Sequence, residues 1–206
     1  SNNETEFHLY RKTGESGSWT KVETPSGASV STQAEGIRGE SVYFKINAYN
    51  SIGESDDSNI VGPFTVPYLV QFNLSGGTVA GSTTVDSQEV APNGNVTLPA
   101  DAVKTDLSFG GWYSEANGAG TKYTGSTAVT ANVTLYAFFG ATMTYNANGA
   151  TGADVPVDAG LYKSTDTVTI AACPSGLIKT QDGITMRFTG WNTAADGSGT
   201  MYQAAA

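Results

Sequence analysis

A mainly β protein built from small modules in series is the fold class this sequence predicts, and three observations predict it. Short runs alternate apolar and polar residues with period 2. Val70, Phe72 and Leu74 alternate with Gln71 and Asn73 in "YLVQFNLSGG", and Leu135, Ala137 and Phe139 with Tyr136 and Phe138 in "VTLYAFF". Gly, Pro and Asn punctuate such runs, and no long amphipathic helix separates them. The third observation is a repetition: "FGGWYSEANGAGTKY" from Phe109 returns as "FTGWNTAADGSGTMY" from Phe188, with eight of fifteen positions identical at a shift of 79. A chain of 206 residues has room for a few modules of this size.

Residues 1–66 form the first module. Five strand candidates, "EFHLYRK", "SWTKVE", "ASVSTQ", "SVYFKINAYN" and "SNIVGPFTV", follow at the spacing of a sandwich. In the fourth, Val42, Phe44, Ile46 and Ala48 make an inward row, and Tyr43, Lys45, Asn47 and Tyr49 an outward one. "NSIGESDDS" reads as a polar loop. "VGPFTVPY" (Val61–Tyr68), with two prolines, reads as a stiff linker.

Residues 67–140 and 141–206 form two copies of one domain. "FNLSGGT" (Phe72–Thr78) matches "YNANGAT" (Tyr145–Thr151) at a shift of 73, so the second copy carries a six-residue insertion, expected within "VDAGLYKSTD". In both copies an aromatic strand leads into a Gly-rich loop and a return strand, the pattern of a hairpin whose glycines supply positive φ. "PADAVKTDLS" is expected to hold one helical turn. Phe109, Trp112 and Tyr123, with Phe188, Trp191 and Tyr202, are read as the repeat core, because a small sheet needs the large apolar area of buried aromatics. The second copy lacks a counterpart of "VTLYAFF", so the chain is expected to begin and end inside domains. A sheet short of a strand exposes unpaired backbone, and strand exchange with a neighbouring chain is the partner arrangement that follows.

Two resemblances sharpen this outline. "YFKINAYNSIGESDDS", with Ala48, Asn50, Gly53 and Ser55, resembles the F-strand and F–G loop of a fibronectin type III domain, with Trp19 and Val22 on the edge strand before it. Val42 stands where that family carries its corner tyrosine, and the family's opening strands are missing. Phe72, Asn73, Gly76, Gly77, Phe109, Gly111, Trp112, Gly120, Tyr123, Leu135, Tyr136 and Ala137 follow in order the pattern of the internalin B-repeat, or Listeria–Bacteroides repeat, family. Together these imply a partial immunoglobulin-like (fibronectin type III) sandwich followed by two small β-grasp-like repeats. They also imply a bacterial cell-surface or secreted protein, in which such repeats serve as spacers or binding units and not as catalysts.

The residues themselves point the same way. A net charge of −9 excludes the basic footprint that nucleic acid or an anionic membrane requires. No run of eighteen apolar residues is present, so no membrane insertion is expected in this segment. One cysteine, Cys173, permits no intramolecular disulfide, and with His8 the only histidine, no Ser-His-Asp set or His/Cys metal spacing is available. Glu54, Asp56 and Asp57 in "GESDDS" read as a solvated loop, and "DGSG" and "ANGAG" as turns. The two turns lack the residues of a calcium or phosphate loop, and a weak divalent site is the lesser alternative at "GESDDS". "RGES" carries no weight, and the triplets at Asn3, Asn73, Asn95 and Asn132 arise by chance in a Thr-rich chain.

No catalytic residue, metal or cofactor is assigned. Tyr113, Tyr136 and Tyr49 are the candidate ligand contacts, with a host or cell-surface protein or glycan as partner. Asn192 in place of Tyr113 argues against one aromatic platform shared by both copies. The function expected is adhesive or spacer repeats at the bacterial surface. The alternative is a set of accessory carbohydrate-targeting domains of a large secreted enzyme.

Overall fold

The computed structural model describes residues 4–24 and 37–203. The strand candidate "ASVSTQ" and Asn3 lie outside the described residues. The chain is mainly β, in several sheets.

The first sheet contains β1 (Glu6–Thr13), β2 (Thr20–Glu23), β3 (Ser41–Asn50), β4 (Gly53–Glu54) and β5 (Val61–Thr65). Its order is β2-β1-β3-β4, and β5 also pairs with β3. An unbroken antiparallel ladder joins β1 to β3, from Glu6 opposite Tyr49 to Thr13 opposite Val42. Val61–Thr65, part both of the strand candidate "SNIVGPFTV" and of the expected linker, is a strand, with Val42 opposite Phe64 and Phe44 opposite Val61. The ladder shifts register between those two pairs, and Pro63, which has no N–H to donate, sits there on an edge strand. Only Val66 and Pro67 separate this sheet from the next.

Val42 is buried, whereas Phe44, Ile46 and Ala48 of the same row are half-buried. Asn47, expected to face out, is buried instead. It stands opposite His8 across the ladder, and its Nδ2 donates to the Ser55 carbonyl. The loop after β3 therefore covers a position that strand alternation alone assigns to solvent.

The second sheet contains β6 (Tyr68–Asn73), β7 (Gln88–Val90), β8 (Ser108–Tyr113), β9 (Lys122–Tyr123) and β10 (Val133–Gly140). Its order is β7-β6-β10-β8-β9. β10 lies at the centre, parallel to β6 and antiparallel to β8. A parallel pair needs a long crossover, and the whole body of the repeat supplies it. The core gathers Val70, Leu74, Val90, Val96, Ala102, Trp112, Val129, Leu135 and Ala137. "PADAVKTDLS" forms no helical turn. Val103 bridges to Thr78, and a reverse turn from Lys104 to Leu107 places Asp106 at φ 59°. Asp tolerates that left-handed conformation. A 3-10 turn at Ala116–Gly118, in the Gly-rich loop after β8, is the helical element in the described residues.

The second copy is less closed. β11 (Lys179–Gln181) pairs with β12 (Ile184–Met186), and β13 (Trp191–Asn192) with β14 (Met201–Tyr202). The bridge Thr151–Ile178 repeats the bridge Thr78–Val103. The offset between copies is thus 73 at Thr151, 75 at Ile178 and 79 at Phe188. Four of the six inserted residues therefore fall in the β11–β12 hairpin and not in "VDAGLYKSTD". Within the latter, Tyr162 bridges to Ala141, much as β7 pairs with β6. Asp182 and Gly183, both at positive φ, make the two-residue Asp-Gly turn of that hairpin.

Candidate functional site

Tyr113 and Tyr136 stand directly opposite each other in the β8–β10 ladder, on the face of the second sheet away from Trp112 and Leu135. Both are half-buried. Phe138 packs edge-on against Tyr113 with ring centroids 5.7 Å apart, and Lys122 Nζ lies 5.8 Å from the Tyr113 centroid. Asn73 stands opposite Tyr136, so a row Lys122–Tyr113–Tyr136–Asn73 crosses four strands. Two flat rings between an ammonium and an amide form a surface suited to stacking, with hydrogen-bonding groups at either end. Strand alternation already groups Phe138 with Tyr136, and the alternation of Lys122 with Tyr123 is the signal that places Lys122 on this face.

Tyr49 does not join this face. It stacks on His8 in the first sheet, with centroids 4.7 Å apart. In the second copy Asn192 replaces Tyr113, and its amide binds within the hairpin loop. Oδ1 accepts from the Ala194 and Gly199 amides, and Nδ2 donates to the Gly197 and Gly199 carbonyls. A stacking ring in one copy is thus a loop brace in the other.

The core signature residues also fall in different environments. Trp112 is 2% exposed, with Phe72 and Phe109 edge-on at 5.3 and 5.7 Å. Trp191 keeps the same two neighbours, Tyr145 at 4.7 Å and Phe188 at 5.1 Å, but it is only half-buried. Tyr123 is half-buried beside the first core, whereas Phe188 and Tyr202 are exposed. Trp191 Nε1 donates to the Ala171 carbonyl at 2.8 Å. Trp112 Nε1 has no acceptor among the described residues.

A family model described as the Listeria-Bacteroides repeat domain matches residues 68–138 and, a second time, residues 142–206. The chain belongs to this family. No curated protein and no solved structure matches it. The two Listeria-Bacteroides repeats therefore stand in tandem, and the paired tyrosines lie on the first.

Several charged groups of the first sheet bind one another. His8 is buried, with Nε2 donating to Glu6 at 2.9 Å and Nδ1 bonded to Glu54, which also accepts from Tyr10. Glu6 and then Glu54 hold the imidazole above its ordinary value, against partial desolvation. Hydrogen bonds from His8 and Tyr10 hold Glu54 below its own, and Lys45 does the same for Asp57. Glu54 and Asp57 of "GESDDS" are thus engaged with His8 and Lys45. Among the described residues no group of three or more His, Cys, Asp or Glu could hold a metal ion. Nothing in the sequence pointed to the His8 cluster, whose members come from strands 46 residues apart. Cys173 lies half-buried on the wall of the second repeat. Among the described residues no helix is long and apolar enough to cross a membrane.

Proposed function

We propose that this chain is a non-catalytic, modular extracellular segment of a bacterial surface or secreted protein, whose repeats act in attachment. The observation that carries the reading is the Tyr113–Tyr136 pair, presented on the outer face of a Listeria-Bacteroides repeat beside Lys122 and Asn73. Because Asn192 replaces Tyr113 in the second copy, the contact is assigned to the first repeat, with the second as its spacer. Family membership supports the extracellular setting. The sheet order β7-β6-β10-β8-β9 supports a β-grasp-like repeat: the second, first, fifth, third and fourth strands lie side by side, and the first and last are parallel. The order β2-β1-β3-β5 supports a fibronectin type III reading of the first module, as the C′-C-F-G sheet of such a sandwich.

The same tyrosines favour the second reading, accessory domains that target a secreted enzyme to polysaccharide, because flat rings with polar neighbours suit sugar stacking. The test is binding of the chain to arrays of glycans, matrix proteins and host-cell membranes at several surface densities, with Tyr113→Ser and Tyr136→Ser alongside. Density-dependent binding that both substitutions abolish is the expected result. A response confined to polysaccharides selects the second reading. A blank array overturns attachment and leaves a spacer.

A further inference from the structure

The tyrosine row of the first repeat ends in an ammonium that packing alone does not call for. Lys122 stands opposite Tyr113, and its stem lies across Gly111, where a Cβ would fall 2.6 Å from Cε. The second repeat fills the same slot with Met201, opposite Asn192, and a Cβ on Gly190 would fall 2.7 Å from its Sδ. The hairpin thus needs an unbranched side chain over a glycine, and methionine supplies one without charge. Charge and stacking ring occur together in the first copy, and the second has neither at the matching places. Nor is the ammonium paired within the protein. Lys122 is exposed and forms no ion pair among the described residues, with its Nζ 5.8 Å from the Tyr113 centroid. The other end of the row is neutral. Asn73 Oδ1 accepts from the Ser75 amide, which leaves Nδ2 without an acceptor among the described residues. Gln71, exposed on the same face, stands opposite Thr134. From Lys122 to Asn73 the row crosses three interstrand spacings, about 14 Å.

We propose that this face binds an acidic saccharide, with a sugar that carries a carboxylate over Tyr113 and a neutral sugar over Tyr136. Lys122 pairs with the carboxylate, a charge-assisted bond that a neutral sugar cannot make. The Asn73 and Gln71 amides donate to hydroxyls of the neutral sugar. The rings supply contact area, and Lys122 sets specificity. The inference rests on the attachment reading, whose ligand it narrows to one chemistry. The ligand carries isolated carboxylates among neutral rings and is not a dense polyanion. A net charge of −9 repels a dense polyanion at long range, whereas a single ion pair acts at contact.

The test measures binding of the whole chain to hyaluronan, glucuronoxylan and sialyllactose, each in its native and its carboxyl-reduced form, with heparin as the dense polyanion. Tighter binding of at least one native form than of its reduced form is the expected result. Lys122→Met, which installs the residue that the second copy carries in the same slot, keeps the packing and removes the charge. It should weaken the native form about tenfold and leave the reduced form unchanged, whereas Lys122→Arg should keep the preference. Added salt should narrow the gap between the two forms. Equal binding of native and reduced forms, abolished by Tyr113→Ser, overturns the acidic ligand and leaves attachment standing. Tyr113-dependent binding to a matrix protein, with none to the three glycans, does the same. Heparin binding tighter than that of every native glycan overturns the isolated carboxylate. No binding to any glycan or matrix protein overturns the inference and the attachment reading together.

Discussion

The two repeats hold equivalent aromatic trios at nearly the same spacings, yet one tryptophan is sealed and the other is only half-buried. The trio is therefore set locally, by the hairpin that carries Trp112 or Trp191 and by the strand that carries Phe72 or Tyr145. Burial is set by something non-local, the central strand β10. The sharpest way to break this comparison is to delete each tryptophan. Trp112→Ala should cost about 3–5 kcal/mol, because it empties a closed core. Trp191→Ala should cost less, because its side chain is only half-buried to begin with. Denaturant unfolding, with exchange assigning each transition to its repeat, distinguishes the two. Equal losses would mean that the second core is closed in solution.

A smaller effect should be shared by both copies, since its origin is local. Gly111 and Gly190 occupy the same place before the aromatic strand turns and have φ of 120° and 150°, where an L side chain is strained. Substitution by Ala should cost about 1–3 kcal/mol in each. The penalty should be larger at Gly190, where a Cβ would fall 2.8 Å from the Tyr202 carbonyl oxygen. At Gly111 it would meet the flexible end of Lys122. Chemical-shift changes across the β8–β9 and β13–β14 pairs would report each hairpin separately. A loss confined to the first copy would show that the second hairpin is not held in this conformation.

What the sequence made legible follows the same division between local and non-local. The alternation in "VTLYAFF" placed Leu135 and Ala137 inside and Tyr136 outside, because parity is a property of one strand. The mainly β class and the two repeats were equally legible. The insertion was misplaced because aligning two copies by identity says nothing about which bridge each segment makes. The Asp182–Gly183 dipeptide is the local sign of the hairpin that holds most of the insertion. Val61–Thr65 reads from sequence both as a strand and as a linker, because its proline-bearing edge is stabilised by β3, which local pattern does not show. Asn47 and His8 were beyond reach for that reason too: their burial comes from a loop folding back, and periodicity carries no trace of it.

The first sheet and the repeats should also differ in how they respond to pH, since the one histidine of the chain lies in the first. The His8 imidazole faces Glu6 and Tyr10 on its own strand, Asn47 and Tyr49 on β3, Lys21 on β2 and Glu54 on β4. Its folded value is raised, so the stabilisation is fully present below its ordinary value near 6.5 and is lost as pH rises through the raised one. Glu54 is lowered, so its contribution is present above its ordinary value of 4.5 and is lost as pH falls through the depressed one. The first sheet should therefore be most stable in mildly acidic solution and weaken as pH rises through the histidine range, a step the repeats lack because they hold no histidine. His8→Gln should remove the decline through the histidine range and leave any decline above the ordinary tyrosine range, where Tyr10 titrates. A decline through the histidine range that persists in that variant would place its origin elsewhere.

The junctions give the smallest effects and differ in chemistry. Between the first sheet and the first repeat, Arg38 Nη1 donates to the Pro67 carbonyl and to Glu89 Oε1, each at 2.9 Å. Between the repeats the contact is apolar, with the Leu161 side chain lying where a Cβ on Gly110 or Gly140 would stand 3.0 or 2.9 Å from it. Arg38 and Glu89 are 34% and 60% exposed, so water screens the pair and it is worth about 0.2–1 kcal/mol. Arg38→Ala should loosen the first junction by that amount, and raising salt should weaken the wild-type junction in the same direction. Leu161→Ala should loosen the second junction with no dependence on salt, because dispersion and burial are not screened. Interdomain orientation, followed by residual dipolar couplings at low and high salt, separates the two cases. If both junctions loosened together with salt, a shared electrostatic origin would replace the contrast between an ionic joint and an apolar one.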